Sequence, residues 1–331
     1  MKRALLLSLV LLLSSISGSL FAIDNKYEDY FSFRITPQFE IANGIINEYV
    51  FDDACENTGN KLSELNWHLS SLAIFNLQAD FDIIKYLSVG LSASFAVPQR
   101  SDFMQDSDWQ NSTTTKYPEW RDDDPTERTD FSEHINDLDK YISFTVSAGG
   151  NLYLPFKITL TPYVAYQYEF IKFLGHDGYG IYKQNNFQPS NYSGKVISYE
   201  QELNSVLFGL RTRINCIPRT RINLNFNLSP KMTNISAIDY HFTTGFAYND
   251  RIKNLLAINS DLSAQYSFTK NHSAGFAGKI QYIPLSKGDT YQGRIDSEGE
   301  LTSDDWKQIG TDTGGTDRFI WSLSLNYSFS L

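Results

Sequence analysis

The sequence predicts an all-β fold: a ten-stranded antiparallel transmembrane β-barrel extending above the outer membrane, with short periplasmic turns and long external loops. Three observations predict it. Apolar and polar residues alternate with period two over long stretches. Short and long polar connections follow one another strictly along the chain. The final strand is rich in aromatic residues and ends on Leu331.

The N-terminus comes first. Lys2-Arg3 form a basic start, Ala4–Leu13 an apolar stretch, and Ser19-Leu20-Phe21-Ala22 a small-residue cleavage site. Residues 1–22 therefore read as a signal peptide, and 23–331 as a single ten-stranded outer-membrane β-barrel with no internal linker. On the first strand Phe31, Phe33, Ile35, Phe39 and Ile41 share a face. On the third, Leu87, Val89, Leu91, Ala93, Phe95 and Val97 alternate with small polar residues. Ile158, Leu160, Pro162, Val164, Tyr166 and Tyr168 share one face of the fifth. The seventh sets Ile222, Leu224, Phe226 and Leu228 against Arg221, Asn223, Asn225 and Asn227. The tenth runs from Phe319 to Leu331 with apolar odd positions.

In a soluble sandwich such faces would pack on each other; in a barrel they meet lipid. The connections decide for the barrel. Short ones lie at Asp82–Tyr86, Leu154–Phe156, Cys216–Thr220 and Thr269–His272. Long ones are expected near 53–60, 111–130, 183–194, 242–252 and 289–316. A membrane strand needs roughly 9–11 residues, so the longer strands here must project outside. A ten-stranded barrel is narrow, which disfavours an open porin.

Composition narrows the partners. The 331 residues carry a net charge of −10, which lacks the basic footprint that phosphates require, so no nucleic acid is expected. Mean hydropathy is −0.33, and beyond the N-terminus no apolar run suits a spanning helix. Cys55 and Cys216 fall at opposite ends of the barrel, so no disulfide joins them.

Counting by twos from the lipid-facing residues aims Asp106 and Asp108 inward, with Phe103 and Trp109 outward. The same count turns Asp239 and His241 inward on the seventh strand and Glu48 inward near the top of the first. Two carboxylates at i, i+2 on one face cannot both ionise freely, and one becomes a candidate acid or base. An aspartate two residues from a histidine can orient its imidazole. Spacing alone favours a solvated acidic rim, which is common on external loops.

These residues resemble the omptin family of outer-membrane aspartate–histidine endopeptidases. The resemblance runs through Lys61-Leu62-Ser63-Glu64-Leu65-Asn66-Trp67, Arg100 and Met104-Gln105-Asp106-Ser107-Asp108-Trp109. It continues at Glu119-Trp120-Arg121-Asp122, Ile197-Ser198-Tyr199-Glu200-Gln201 and Asp239-Tyr240-His241. It implies an aspartic-type endopeptidase of the bacterial outer membrane with its active site facing the exterior. Asp106 and Asp108 would be the catalytic aspartate couple, and Asp239 and His241 the dyad that activates water. Glu48 matches a glutamate of the pocket for a basic P1 side chain. The family's second pocket acid falls at Ala237, which should weaken or change that preference.

The resemblance implies no metal or cofactor, although the family binds lipopolysaccharide on its outer wall. Tyr166-Gln167-Tyr168-Glu169-Phe170 lacks a clean form of that pattern, so dependence on this lipid is doubtful. The implied partners are peptide or protein substrates at the cell surface and outer-membrane lipid.

Other signals carry less. The acidic stretch from Asp122 to His134 fits no calcium loop. His68, His134, His176 and His272 have no zinc-site spacing, and there is no GxSxG elbow or P-loop. Trp67, Trp109, Trp120 and Tyr240 read as girdle or rim packing. The rival to the peptidase is a catalytically silent barrel serving as adhesin or receptor.

Overall fold

A computed structural model describes residues 31–52, 61–84, 86–109, 127–296, 298–302 and 306–331. The expected signal peptide, Cys55, and the loop residues Glu119 to Asp122 lie outside the described residues; Cys216 is exposed and unbridged.

The strands are β1 (Ser32–Phe51), β2 (Lys61–Ile84), β3 (Leu87–Ala96), β4 (Gln99–Asp108), β5 (Asp130–Gly150) and β6 (Leu152–Leu154). They continue as β7 (Ile158–Tyr182), β8 (Pro189–Ile214), β9 (Thr220–His241), β10 (Phe246–Ser267), β11 (His272–Arg294) and β12 (Lys307–Ser330). Neighbouring strands pair antiparallel, β3 and β4 each with both β2 and β5, and β5 with β7, and β1 closes the ring on β12 from Arg34 opposite Ser330 to Val50 opposite Gly314. β3 and β4 together form one stave, and β6 belongs to the turn into β7, so the ring has ten staves.

Strand length sets the height. β2 has 24 residues, roughly 80 Å of strand against a hydrocarbon core of about 30 Å, so even a tilted strand leaves the membrane. Much of what reads as external loop is in fact strand. β7 and β8 turn back within 183–188, β9 and β10 turn within 242–245, and β11 and β12 extend to Arg294 and from Lys307. These segments are polar because one face meets solvent and the other lines the mouth. Alternation between two wet faces leaves no apolar signal in the sequence.

The outer wall of the lower half carries Phe39, Phe75, Leu77, Phe95, Phe144, Val164, Phe226, Leu262, Phe276 and Leu325, all exposed for lipid to cover. The interior has levels. Low in the barrel, a polar cavity of about 300 Å³ is lined by residues such as Asn76, Asp80, Arg211, Asn225 and Asp261. Arg211 pairs with Asp80 at 3.3 Å, and Asn225 donates to Asp261 at 2.7 Å. Above it lies an apolar layer that the alternation did not foretell. Ile46, Trp67, Met104, Leu138, Ile171, Phe173, Tyr199, Leu203, Ile252 and Ile283 interlock there, and Trp67 stacks on Tyr199 and Phe173 at 5.3 and 5.7 Å. Trp67 thus belongs to the interior, not to the expected girdle or rim. Arg318 sits among Glu169, Gln201 and Gln281, almost fully buried. Glu169 is therefore inside the barrel and not on its lipid-facing wall.

Candidate active site

The mouth opens above this layer. β4 carries Asp106 opposite Leu65 of β2 and Ser132 of β5, and Asp108 opposite Ser63 and Asp130. Ser63 Oγ reaches Asp106 Oδ1 at 3.5 Å, and Asp108's carbonyl accepts the Thr129 N–H at 2.9 Å. Across the ring, β9 carries Asp239 opposite Tyr199 of β8 and Tyr248 of β10. His241 closes the strand, where its carbonyl accepts the N–H groups of Thr244 and Gly245 at 3.2 and 3.0 Å. That tight turn fixes the end of β9 and holds the imidazole over the mouth.

His241 Nε2 is hydrogen-bonded to Asp239 Oδ2, and Tyr248 packs edge-on against the ring at 5.5 Å. With Nε2–H donated to the carboxylate, Nδ1 is the basic nitrogen. The dyad is asymmetric in exposure: the His241 side chain is 28% exposed, Asp239 only 6%. Solvent reaches the imidazole, while the aspartate stays underneath.

Electrostatics join the two walls. Burial pulls the His241 pKa down, but Asp239, Asp106 and Asp108 more than offset it, and the net shift is upward. Burial pushes Asp106 well above the usual carboxylate range, helped by Asp108 and opposed by His241. Glu48 is raised well above it too, by burial and then by Asp239, Asp250 and Asp106. All five sequence-derived residues thus converge. Glu48, Asp106, Asp108, Asp239 and His241 come from three staves and act on one another across one mouth.

Two oxygens here are left without a partner: Glu48 Oε2 and Asp239 Oδ1, both buried. Such groups are costly unless something binds them. Ala237 is buried and inward, one row below Asp239. Sequence reasoning missed two features. Tyr182 and Tyr192 join their hydroxyls at 2.6 Å beside the mouth, with Asp106 near enough to raise Tyr182. Asp250 is buried among these acids. No group of His, Cys, Asp or Glu arranged to hold a metal occurs among the described residues. His134 instead bonds Ser132 Oγ and the Asp177 carbonyl, and His176 bonds Asp137 and Asp177. Trp109 lies under the Lys61 ammonium at 4.2 Å, and the Tyr240 hydroxyl donates to Glu200 at 3.0 Å.

A ten-staved barrel with an acidic, histidine-bearing outer mouth defines a class of outer-membrane protein. The chain belongs to the Omptin family, whose model matches residues 33–329. It is similar to the outer membrane protease IcsP of Shigella flexneri, 26% identical over 240 residues, covering 70% of this chain and 72% of that protein. The plasminogen activator of Yersinia pestis is 23% identical over 308 residues, covering 90% of each. The crystal structure of outer membrane protease OmpT from Escherichia coli superposes with a TM-score of 0.77 at 19% identity, over 91% of this chain and 97% of that one. Family and fold together support an outer-membrane protease whose mouth faces the exterior.

Proposed function

We propose that this chain is an outer-membrane endopeptidase of the aspartate–histidine type, acting on exposed peptides and proteins at the cell surface. The observation that carries it is the His241–Asp239 hydrogen bond facing buried Asp106, whose pKa burial and Asp108 push up, across the mouth. A water between His241 and Asp106 loses its proton to Nδ1 while its oxygen bonds the scissile carbonyl carbon. Asp239 stabilises the resulting imidazolium through Nε2–H. Asp106 and Asp108 share one proton, which lets Asp106 hydrogen-bond the water or the developing tetrahedral centre. The imidazolium then donates to the leaving amine as the C–N bond breaks, and the free acid and amine result. No covalent intermediate, metal or cofactor takes part in this reading. Glu48 at the base of the mouth receives the P1 side chain, and a carboxylate there suits a basic one.

Asp106→Asn and His241→Ala test the proposal with the refolded barrel and a mixed fluorogenic peptide library, with and without lipopolysaccharide. Turnover is expected to fall by about 10²–10⁴-fold in each, the usual worth of a positioned acid or base. Equally negligible turnover in the unmutated protein and both variants would sink the peptidase reading and leave a silent receptor or adhesin.

A further inference from the structure

We propose that Asp250 replaces the acid missing at Ala237, so that Glu48 and Asp250 form a two-carboxylate pocket for a basic P1 side chain. The proposal rests on the peptidase reading for what the pocket receives. Its basis lies in the strand register. Asp250 of β10 is the direct cross-strand partner of Ala237 of β9, and directly paired residues share a face of the sheet. A carboxylate removed from one strand is present on the next, displaced by a strand spacing of about 4.8 Å.

Asp250 is built into its place. Only 3% exposed, it accepts from Thr290 Oγ1 of β11 at 2.7 Å and from the Gly315 N–H of β12. Its carboxyl lies over Gly314, where an added Cβ would come within 2.1 Å of Cγ. Gly314 pairs with Val50 and Thr316 with Glu48, so this carboxyl is delivered to the side of the mouth where Glu48 stands.

A structural acid tying β10 to β12 would look similar in those contacts alone, but its surroundings argue otherwise. Glu48 Oε2 and Asp239 Oδ1 are buried with no partner, and among the described residues no lysine or arginine forms an ion pair with Glu48, Asp239 or Asp250. His241 serves Asp239, but Glu48 and Asp250 have no basic partner among the described residues, and burying their charge is costly until a cation arrives. Burial together with Asp239 pushes Asp250 up to about 8, against the lowering effect of Thr290 and Gly315. An arriving guanidinium or ammonium would displace that proton and pair with both acids. Asp250 therefore restores the preference for a basic P1 residue that Ala237 was expected to weaken or change.

The test uses the full refolded barrel and two peptides differing only at P1, arginine against its neutral isostere citrulline. Asp250→Asn should lower the ratio of the two kcat/KM values by at least about 30-fold, the scale of losing one partner of a buried charge pair. Adding Ala237→Asp to that variant should restore most of the ratio. An unchanged ratio overturns the proposal, whether or not both rates fall together, because a merely structural acid slows both peptides alike. A second arm needs no turnover: benzamidine binding, followed by calorimetry, should weaken at least tenfold in Asp250→Asn. If nothing is cleaved but benzamidine binds in this Asp250-dependent way, the pocket stands and the peptidase reading falls. If benzamidine binds equally to both proteins, or to neither, the pocket assignment falls.

Discussion

At the scale of single residues, the His241 imidazole is held between opposing effects: burial disfavours its charge and three carboxylates favour it. In the proposed mechanism the imidazole must be neutral to accept a proton, so its raised pKa places the rising limb of activity above the usual histidine range. Asp239→Asn leaves burial less opposed. The limb in a pH profile of kcat/KM should then move to lower pH, with a lower plateau because the imidazolium loses its stabilising partner. A limb that stays in place would show that Asp239 does not set the histidine's titration. The five residues of the mouth were legible because period two holds, in net, from the lipid face to the rim on β1, β3–β4 and β9. On the third stave this survives a break at 97–98 and an extra residue at Ser101. Asp250 was not legible. Counting upward from lipid-facing Leu262 puts every even residue of β10 outward, but the register slips twice between Ile252 and Ala257, and Asp250 ends up inside.

At the scale of elements, the same device shapes the interior. β2 turns over at Ser71, which has a φ of 55°, so odd residues point outward at Phe75 and Leu77 but inward at Leu65 and Trp67. β5 turns over between Leu138 and Lys140, where Ile142 and Phe144 face lipid while Leu138 and Asn136 face in. These bulges let apolar side chains that would meet lipid lower down fill the centre above it. A single sequence does not announce where a strand will bulge, which is why Trp67 reads as a girdle residue. The β5–β7 pair shows how tightly such places are built. Gly178 has a φ of +105° and lies where a Cβ would come within 2.0 Å of the Glu133 carbonyl. Gly178→Ala should cost about 1–3 kcal/mol of stability in denaturant titrations. A cost below about 0.5 kcal/mol would mean that this bulge relaxes freely.

For the molecule as a whole, β12 supplies Arg318, a cation lodged in the interior against Glu169, Gln201 and Gln281. Removing one member of a buried ion pair leaves the other charge stranded, at about 3–5 kcal/mol. Arg318→Ala should lose that much in detergent refolding, and Glu169→Leu with Arg318→Met should recover most of it. A loss under about 1 kcal/mol in Arg318→Ala would show that water reaches Glu169 freely. The ten staves, their direction and their reach beyond the membrane were legible because half of every strand must satisfy lipid. What fills the centre had no such outside reference. That filling also has a consequence for where the chemistry takes its conditions. Trp67, Phe173, Tyr199 and the Arg318 cluster stand between the polar cavity of the lower barrel and the acids of the mouth. That layer separates the interior into two levels, the polar cavity below and the acids of the mouth above. The His241 side chain is exposed on the outer side of that layer, so the mouth's histidine meets the medium outside the cell, and acidification of those surroundings reaches it directly.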